Sequence, residues 1–332
     1  MQNKIEWLSI MRGLNILLVV VAHAQLIDIS SGKPFYFFDE LNTILVAIRM
    51  PLFVFCSGGL LYLSRISKKW TIRNLLIDKV QRLLCPFIFF VILYYIIKII
   101  MNDFVKTEVD TSFSDFLLSF VVFTNHPSVH LWFLAVLMWF MLLYPLFCWL
   151  CQDDKRMIIF LLFTIIIQYF DFRPQDPEKN YFYIFSLNQY LVYFFFGLFF
   201  FKYRLYDYLR FWWSFPLTAI IFTLTYYYQL WYPASLTGIL LAVSINLQIE
   251  KLFPKLFISF REYIYQIYLM SLIFQGIVEL IIWRKLCYCP QLVFLFYIIN
   301  ILIGIYVPVI ISKMAERTHW RWLHLALGLK KA

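Results

Sequence analysis

This chain has little charge. Asp, Glu, Lys and Arg make up 14% of its 332 residues, against about 25% in an ordinary soluble domain, which argues against a water-soluble globule. No Gly/Ser linker, low-complexity tract or clear internal repeat marks off a second domain or a solenoid. The apolar runs do not alternate with period two, which argues against a transmembrane β-barrel. The six cysteines form no disulfide framework. Cys56, Cys85 and Cys148 fall in or beside hydrophobic runs, and Cys287 and Cys289 are too close in sequence to pair. Cys148 and Cys151 have redox-motif spacing but not the βαβ setting that would give it meaning. All six read as packing residues. No Gly-x-Ser-x-Gly elbow, zinc-ligand spacing or phosphate loop is present, so no metal is expected.

What the chain has is hydrophobic residues, 63% of the total, in blocks close to the ~20 residues that an α-helix needs to cross hydrocarbon. The expected fold is all-α: a polytopic transmembrane bundle forming a single domain over 1–332. About ten spans are expected, near 8–29, 41–63, 83–101, 131–151, 157–170, 187–201, 211–229, 235–249, 264–282 and 291–312. The fifth and sixth are short. Phe113 to Phe123 is apolar but too short to span, so it is expected to lie in the interface or re-enter.

The formal charge of +10 invites a nucleic-acid reading, but the cations sit in short segments between apolar runs, as the positive-inside rule requires. Arg65, Lys68, Lys69, Arg73, Lys79 and Arg82 follow the second span against Asp78 alone. Lys202, Arg204 and Arg210, and the tail with Lys313, Arg317, Arg321, Lys330 and Lys331, fall on that same side. The loops bearing Asp28, Asp39 and Glu40, and Asp103, Glu108, Asp110 and Asp115, are acidic. Both termini are therefore expected in the cytoplasm, and only Arg284 and Lys285 break the pattern. Lys4, Arg12, an apolar run and Ala22-His23-Ala24 imitate a signal peptide. An uncleaved first span is the expectation, because the apolar run resumes at Leu26-Ile27.

The first span holds the sharpest anomaly, Arg12 and His23 in one apolar stretch. On a helix their eleven-residue offset is ~20° past three full turns and ~16 Å along the axis, so they share one face. Two ionisable groups on one face of an apolar span suggest an internal polar seam. Snorkelling to headgroups would explain Arg12 alone; His23 has only Asn15 as local polar company. Arg49 falls at mid-depth in the second span, two residues before Pro51, which should loosen the helix. Ser57-Gly58-Gly59 reads as a break that lets backbones approach or lines a cavity. Arg12, Lys79 and Arg82 form an expected inner cationic cluster suited to a phosphorylated molecule. For Lys79 and Arg82 alone the plainer reading is a positive-inside flank. His23, Arg49, His130 and Glu279 form an expected outer titratable group; for His130, Trp132 and Glu279 the plainer reading is the membrane interface.

These residues also match a known pattern. Ile10-Met-Arg-Gly with Arg12 and His23, Pro51-Leu-Phe-Val-Phe-Cys-Ser-Gly-Gly-Leu60, Lys79-Val-Gln-Arg82-Leu-Leu-Cys-Pro86, His130-Leu-Trp-Phe-Leu134 and Ile267-Tyr268-Leu269 occur in order. Together they resemble the signature segments of the membrane acyltransferase type 3 family. The last motif usually ends in histidine, where this chain has Ser271. The chain also stops soon after the tenth expected span, as in stand-alone members without a hydrolase-like extension.

The resemblance implies an integral bacterial inner-membrane enzyme. It would move an acyl group, acetyl by default, from cytosolic acyl-CoA to a hydroxyl of a cell-surface glycan or lipid-linked sugar. It implies His23 as general base with Arg12 and Arg49 as charge-stabilising partners. Lys79, Arg82, Ser57 and Gly58 would face acyl-CoA, and His130, Trp132, Glu279 and Tyr268 the acceptor. Lipid and carbohydrate are the implied partners, and nucleic acid is not one. The rival from another class is a transporter or glycan exporter using the polar seam, although no inverted repeat supports it; a structural membrane scaffold suits Arg49 least.

Overall fold

A computed structural model of the chain describes residues 5–101, 112–286 and 288–329. Lys4, Asp103, Glu108, Asp110, Cys287, Lys330 and Lys331, which entered the charge and cysteine readings, lie outside the described residues.

Fourteen α-helices carry the described chain: α1 (Glu6–His23), α2 (Tyr36–Leu61), α3 (Ile72–Lys79), α4 (Cys85–Ile100), α5 (Phe113–Leu118), α6 (Trp132–Leu142), α7 (Tyr144–Leu150), α8 (Asp154–Ile167), α9 (Leu187–Lys202), α10 (Ser214–Tyr227), α11 (Trp231–Leu252), α12 (Ile264–Ile277), α13 (Val293–Glu316) and α14 (Arg321–Ala326). Among the described residues the only β pairing is the isolated bridge Ile27–Pro34. Local chemistry sets several of the helix starts. Thr71, Ser112 and Asp153 accept backbone N–H bonds at the heads of α3, α5 and α8, and Pro86 lies where π-helical Val80–Leu84 passes into α4.

Each of the ten expected spans overlaps helix, the fourth being divided between α6 and α7. Among the described residues, seven helical segments are long and apolar enough to cross a membrane, or eight if α6 and α7, bent by 55° at their junction, count as one. The other two, α8 and α10, have 14 residues each. That is ~21 Å of helix, short of a ~30 Å hydrocarbon core. The apolar stretch from Phe113 forms only the six-residue α5.

The described cysteines, Cys56, Cys85, Cys148, Cys151 and Cys289, are free thiols. The chain forms two compact units, one of residues 1–56 and 200–314, the other of 57–199 and 315–332. In the first, α1 packs on α11 and α12. Both its ends are fastened. At the N-terminus, Trp7 N–H donates to Glu250 Oε1 at 3.1 Å, and Glu6 pairs with Arg261 at 2.9 Å. At the C-terminus, the carbonyls of Val20, Val21 and Ala24 accept from Gln275 Nε2 (2.9 Å), Tyr297 Oη (3.1 Å) and Asn300 Nδ2 (3.1 Å). Carbonyls at a helix end lack their i+4 partners; Val21 O takes the Ala24 N–H at 3.3 Å, and side chains from α12 and α13 complete the end that carries His23.

In the second unit α4 packs on α14, α3 on α6, and α7 on α8. The expected break at Ser57-Gly58-Gly59 is absent, because α2 runs on to Leu61. What is present is close approach: a Cβ on Gly58 would lie 2.0 Å from the Phe194 carbonyl oxygen. Only glycine lets the two backbones meet there.

Candidate active site

α1 runs unbroken from Glu6 to His23, which preserves the one-face relation of Arg12 and His23. Arg12 is half-buried and lies near the buried Cys56. His23, the last residue of α1, keeps an accessible side chain and feels the charge of Arg49. The first unit thus brings His23 and Arg49 near each other.

Two asparagines that sequence reasoning left unused hold Arg49. Arg49 Nη1 donates to Asn42 Oδ1 at 2.6 Å. Asn15, only 2% exposed, reaches the same turn from α1. Its amide donates to Arg49 O at 2.9 Å and accepts from Phe53 N–H at 3.0 Å. Asn15 therefore ties the Arg49 carbonyl and the Phe53 N–H, two residues either side of Pro51, to α1. α2 runs through Pro51 without a break, and a side chain from α1 braces the turn around it.

Tyr268 is buried in α12, with its ring 6.0 Å from that of Phe53. Ser271, in the family's histidine position, is 2% exposed. Glu279 accepts from Arg284 Nε at 2.5 Å. That pair gives Arg284 a structural reason on the side where the charge pattern disfavours it.

In the second unit, Lys79 and Arg82 share a partner with Arg65. Asp78 lies 3.0 Å from Arg65 Nη2, 3.0 Å from Arg82 Nε and 3.9 Å from Lys79 Nζ. Arg65 also stacks 3.7 Å over Trp70, whose carbonyl accepts from Tyr144 Oη at 2.8 Å. Three cations around one carboxylate leave positive charge in excess, and one Arg82 edge stays half-exposed. Such a cluster fits phosphate oxygens. Asp78 and Arg65 were legible as charges, but their role as the organising centre was not. Gly58 is accounted for by its packing on Phe194, without a ligand; Ser57 is half-buried one residue before it. His130 packs 3.9 Å from the ring of Tyr94. Trp132 lies 5.4 Å from Tyr183, nearly parallel to it, and 4.9 Å from Tyr190.

A family model described as an acyltransferase domain matches residues 5–313, nearly the whole chain. The chain belongs to the type 3 acyltransferase family. It is accordingly an acyltransferase of the class that transfers groups other than aminoacyl groups, built from helices apolar enough to span a membrane. No curated protein and no solved structure matches it. In this acyltransferase the motif residues fall in both units: Arg12, His23, Arg49 and Tyr268 in the first, Ser57, Lys79, Arg82, His130 and Trp132 in the second.

Proposed function

We propose that this acyltransferase moves a short acyl group, acetyl being the simplest, from acyl-CoA to a hydroxyl of a cell-surface glycan or lipid-linked sugar. The observation that carries the reading is the proximity of an accessible His23 to an Arg49 held at side chain and backbone. Neutral imidazole takes the proton from the acceptor hydroxyl as its oxygen attacks the thioester carbonyl. Arg49 faces the charge that develops on the carbonyl oxygen, and a preformed cation costs no reorganisation at that moment. The C–S bond breaks, and the imidazolium returns its proton to the departing thiolate. The ester and free CoA balance the reaction with no other reactant. Arg65, Lys79 and Arg82 around Asp78 are the residues suited to the donor's phosphates.

The lysine and arginine distribution supports both termini on the cytoplasmic side, and the family resemblance implies the bacterial inner membrane. The transporter reading has no observation that favours it over acyl transfer. The test is release of CoA from a panel of acyl-CoAs by purified protein supplied with an envelope extract, wild type beside His23→Ala. Release that needs both acceptor and His23 supports the proposal. Full product formation by a folded His23→Ala protein removes His23 from the chemistry.

A further inference from the structure

The second unit contains a cleft of about 500 Å³ that the motif residues do not predict. Its walls are the loop with Asp171, Arg173 and Gln175, the turn of Asn180 to Ser186, and the first turns of α9 with Gln189 and Tyr190. We propose that this cleft binds carbohydrate, seating one or two sugar rings against Tyr183 and Tyr190. That the bound sugar is the acyl acceptor rests on the function proposed above.

Four features set the ligand class. The floor is polar and rigid: buried Asn180 donates to Ser186 Oγ at 2.8 Å and accepts from Phe185 N–H at 3.1 Å. The amides of Asn180 and Gln189 and the hydroxyl of Ser186 both donate and accept, as sugar hydroxyls do. Arg173 is bound to Asp171 through two bonds of 2.9 and 2.7 Å, so the wall presents a neutralised pair and little attraction for an anion. Those bonds hold the Asp171 carboxyl down to about 2, and the pair stays ionised at any physiological pH.

The fourth feature is aromatic. Tyr183 and Tyr190 line the cleft with Trp132 packed behind them. Phe182 and Tyr183 both have left-handed backbones, with φ of 52° and 56°. Bulky residues avoid that region unless their surroundings impose it. Here Phe182 N–H donates to Val121 O at 2.6 Å, and Trp139 Nε1 donates to Phe182 O at 3.0 Å. The fold thus sustains two strained residues in succession where Tyr183 reaches the cleft. Aromatic rings beside groups that both donate and accept suit a ring with apolar C–H faces and hydroxyl edges.

The experiment uses saturation-transfer NMR on the detergent-purified full chain with methyl glycosides of glucose, galactose, rhamnose and N-acetylglucosamine. Wild type is compared with Gln189→Ala and Tyr190→Leu, each checked by its melting temperature. At least one glycoside should bind at millimolar concentration, and each folded variant should weaken it about tenfold, the loss of roughly one good contact. Binding that neither folded variant weakens, or no glycoside binding at all, overturns the proposal. So does displacement of the sugar by equimolar inorganic phosphate, which would make the cleft an anion site. Acyl-CoA supplied to the sugar-bound protein separates the two readings. A bound sugar that is never acylated leaves the cleft standing and removes its role as acceptor site.

Discussion

Arg49 donates a 2.6 Å hydrogen bond to Asn42, seven residues earlier on the same helix. Seven residues are ~20° short of two full turns, so the amide lies almost directly along the helix from the guanidinium and limits where it can swing. If Arg49 stabilises the oxyanion, Asn42 is its positioning residue. Arg49→Ala is expected to lower kcat by ~10² or more, and Asn42→Leu by about tenfold with little change in either KM. The double variant should be no slower than Arg49→Ala alone, because the second change acts only through the first. Additive losses would show that Asn42 serves something else.

The cations around Asp78 make a prediction on the donor side. Lys79→Gln with Arg82→Gln removes two charges while leaving Arg65 to pair with Asp78. KM for acyl-CoA should rise about tenfold or more, and its dependence on salt should flatten, while KM for the acceptor holds. Unchanged acyl-CoA affinity would return both residues to the role of topology determinants.

How much of this was readable beforehand depends on the range of each interaction. The helices were legible because long apolar runs leave one solution in a membrane, and Arg12, His23 and Arg49 stood out as costly residues in such runs. The Asn42–Arg49 pair was also readable from seven-residue spacing, but an uncharged asparagine attracts less notice. The contact from Gln275 to Val20 spans 255 residues, and no periodicity announces it. Asn15 at the Pro51 turn is of the same kind. Ser57-Gly58-Gly59 misled in one respect, since glycine marks close approach as well as breaks, and here α2 is continuous past Phe194. Span limits were weakest at α8 and α10, where apolar composition was read without the 14-residue lengths.

Gly58 gives a clean stability test. Alanine would place its Cβ 2.0 Å from a backbone oxygen, which cannot rotate away as a side chain could. Gly58→Ala should therefore separate the two backbones at a cost of about 3 kcal/mol or more. The expected readout is a lowered melting temperature in detergent with reduced yield. A melting curve like that of wild type would mean that α2 shifts at little cost and that the contact is loose.

The turn after α1 carries a pH dependence. Tyr288 Oη donates to Asp28 at 2.6 Å, and Ser30 adds bonds from its hydroxyl and its backbone N–H. These hold the Asp28 carboxyl down to about 2. A depressed acid stabilises the folded turn above its ordinary value near ~3.9 and loses that effect as pH falls toward the folded value. Exchange of the Gly32 amide, which donates to Asp28 O at 2.8 Å, reports on the turn. It should be flat from pH 7 to 5 after correction for intrinsic rates and rise below 4. Tyr288→Phe should move that rise to higher pH; an identical profile would separate Tyr288 from Asp28.

The capping of α1 makes the last prediction, and it connects stability to chemistry. Three donors from α12 and α13 satisfy carbonyls around His23, and each is separated from its acceptor by at least 255 residues. Removing the Gln275 or Asn300 donor takes a partner from a carbonyl in a buried setting, a loss of about 1–3 kcal/mol, whereas Val21 O keeps the Ala24 N–H when Tyr297 Oη is removed. Asn300 is the best probe, because its 0% exposure denies Ala24 O a water in exchange. Asn300→Leu should lower the melting temperature and fray the last turn of α1, so that His23 loses its fixed direction. Activity should then fall more steeply than the folded fraction does, since general-base catalysis needs the imidazole within hydrogen-bond reach of one hydroxyl. Tyr297→Phe, which deletes a single oxygen and keeps the ring stacked 4.3 Å from Phe38, should do the same more mildly. If activity tracks the folded fraction in both variants, the donors hold the helix without aiming the histidine.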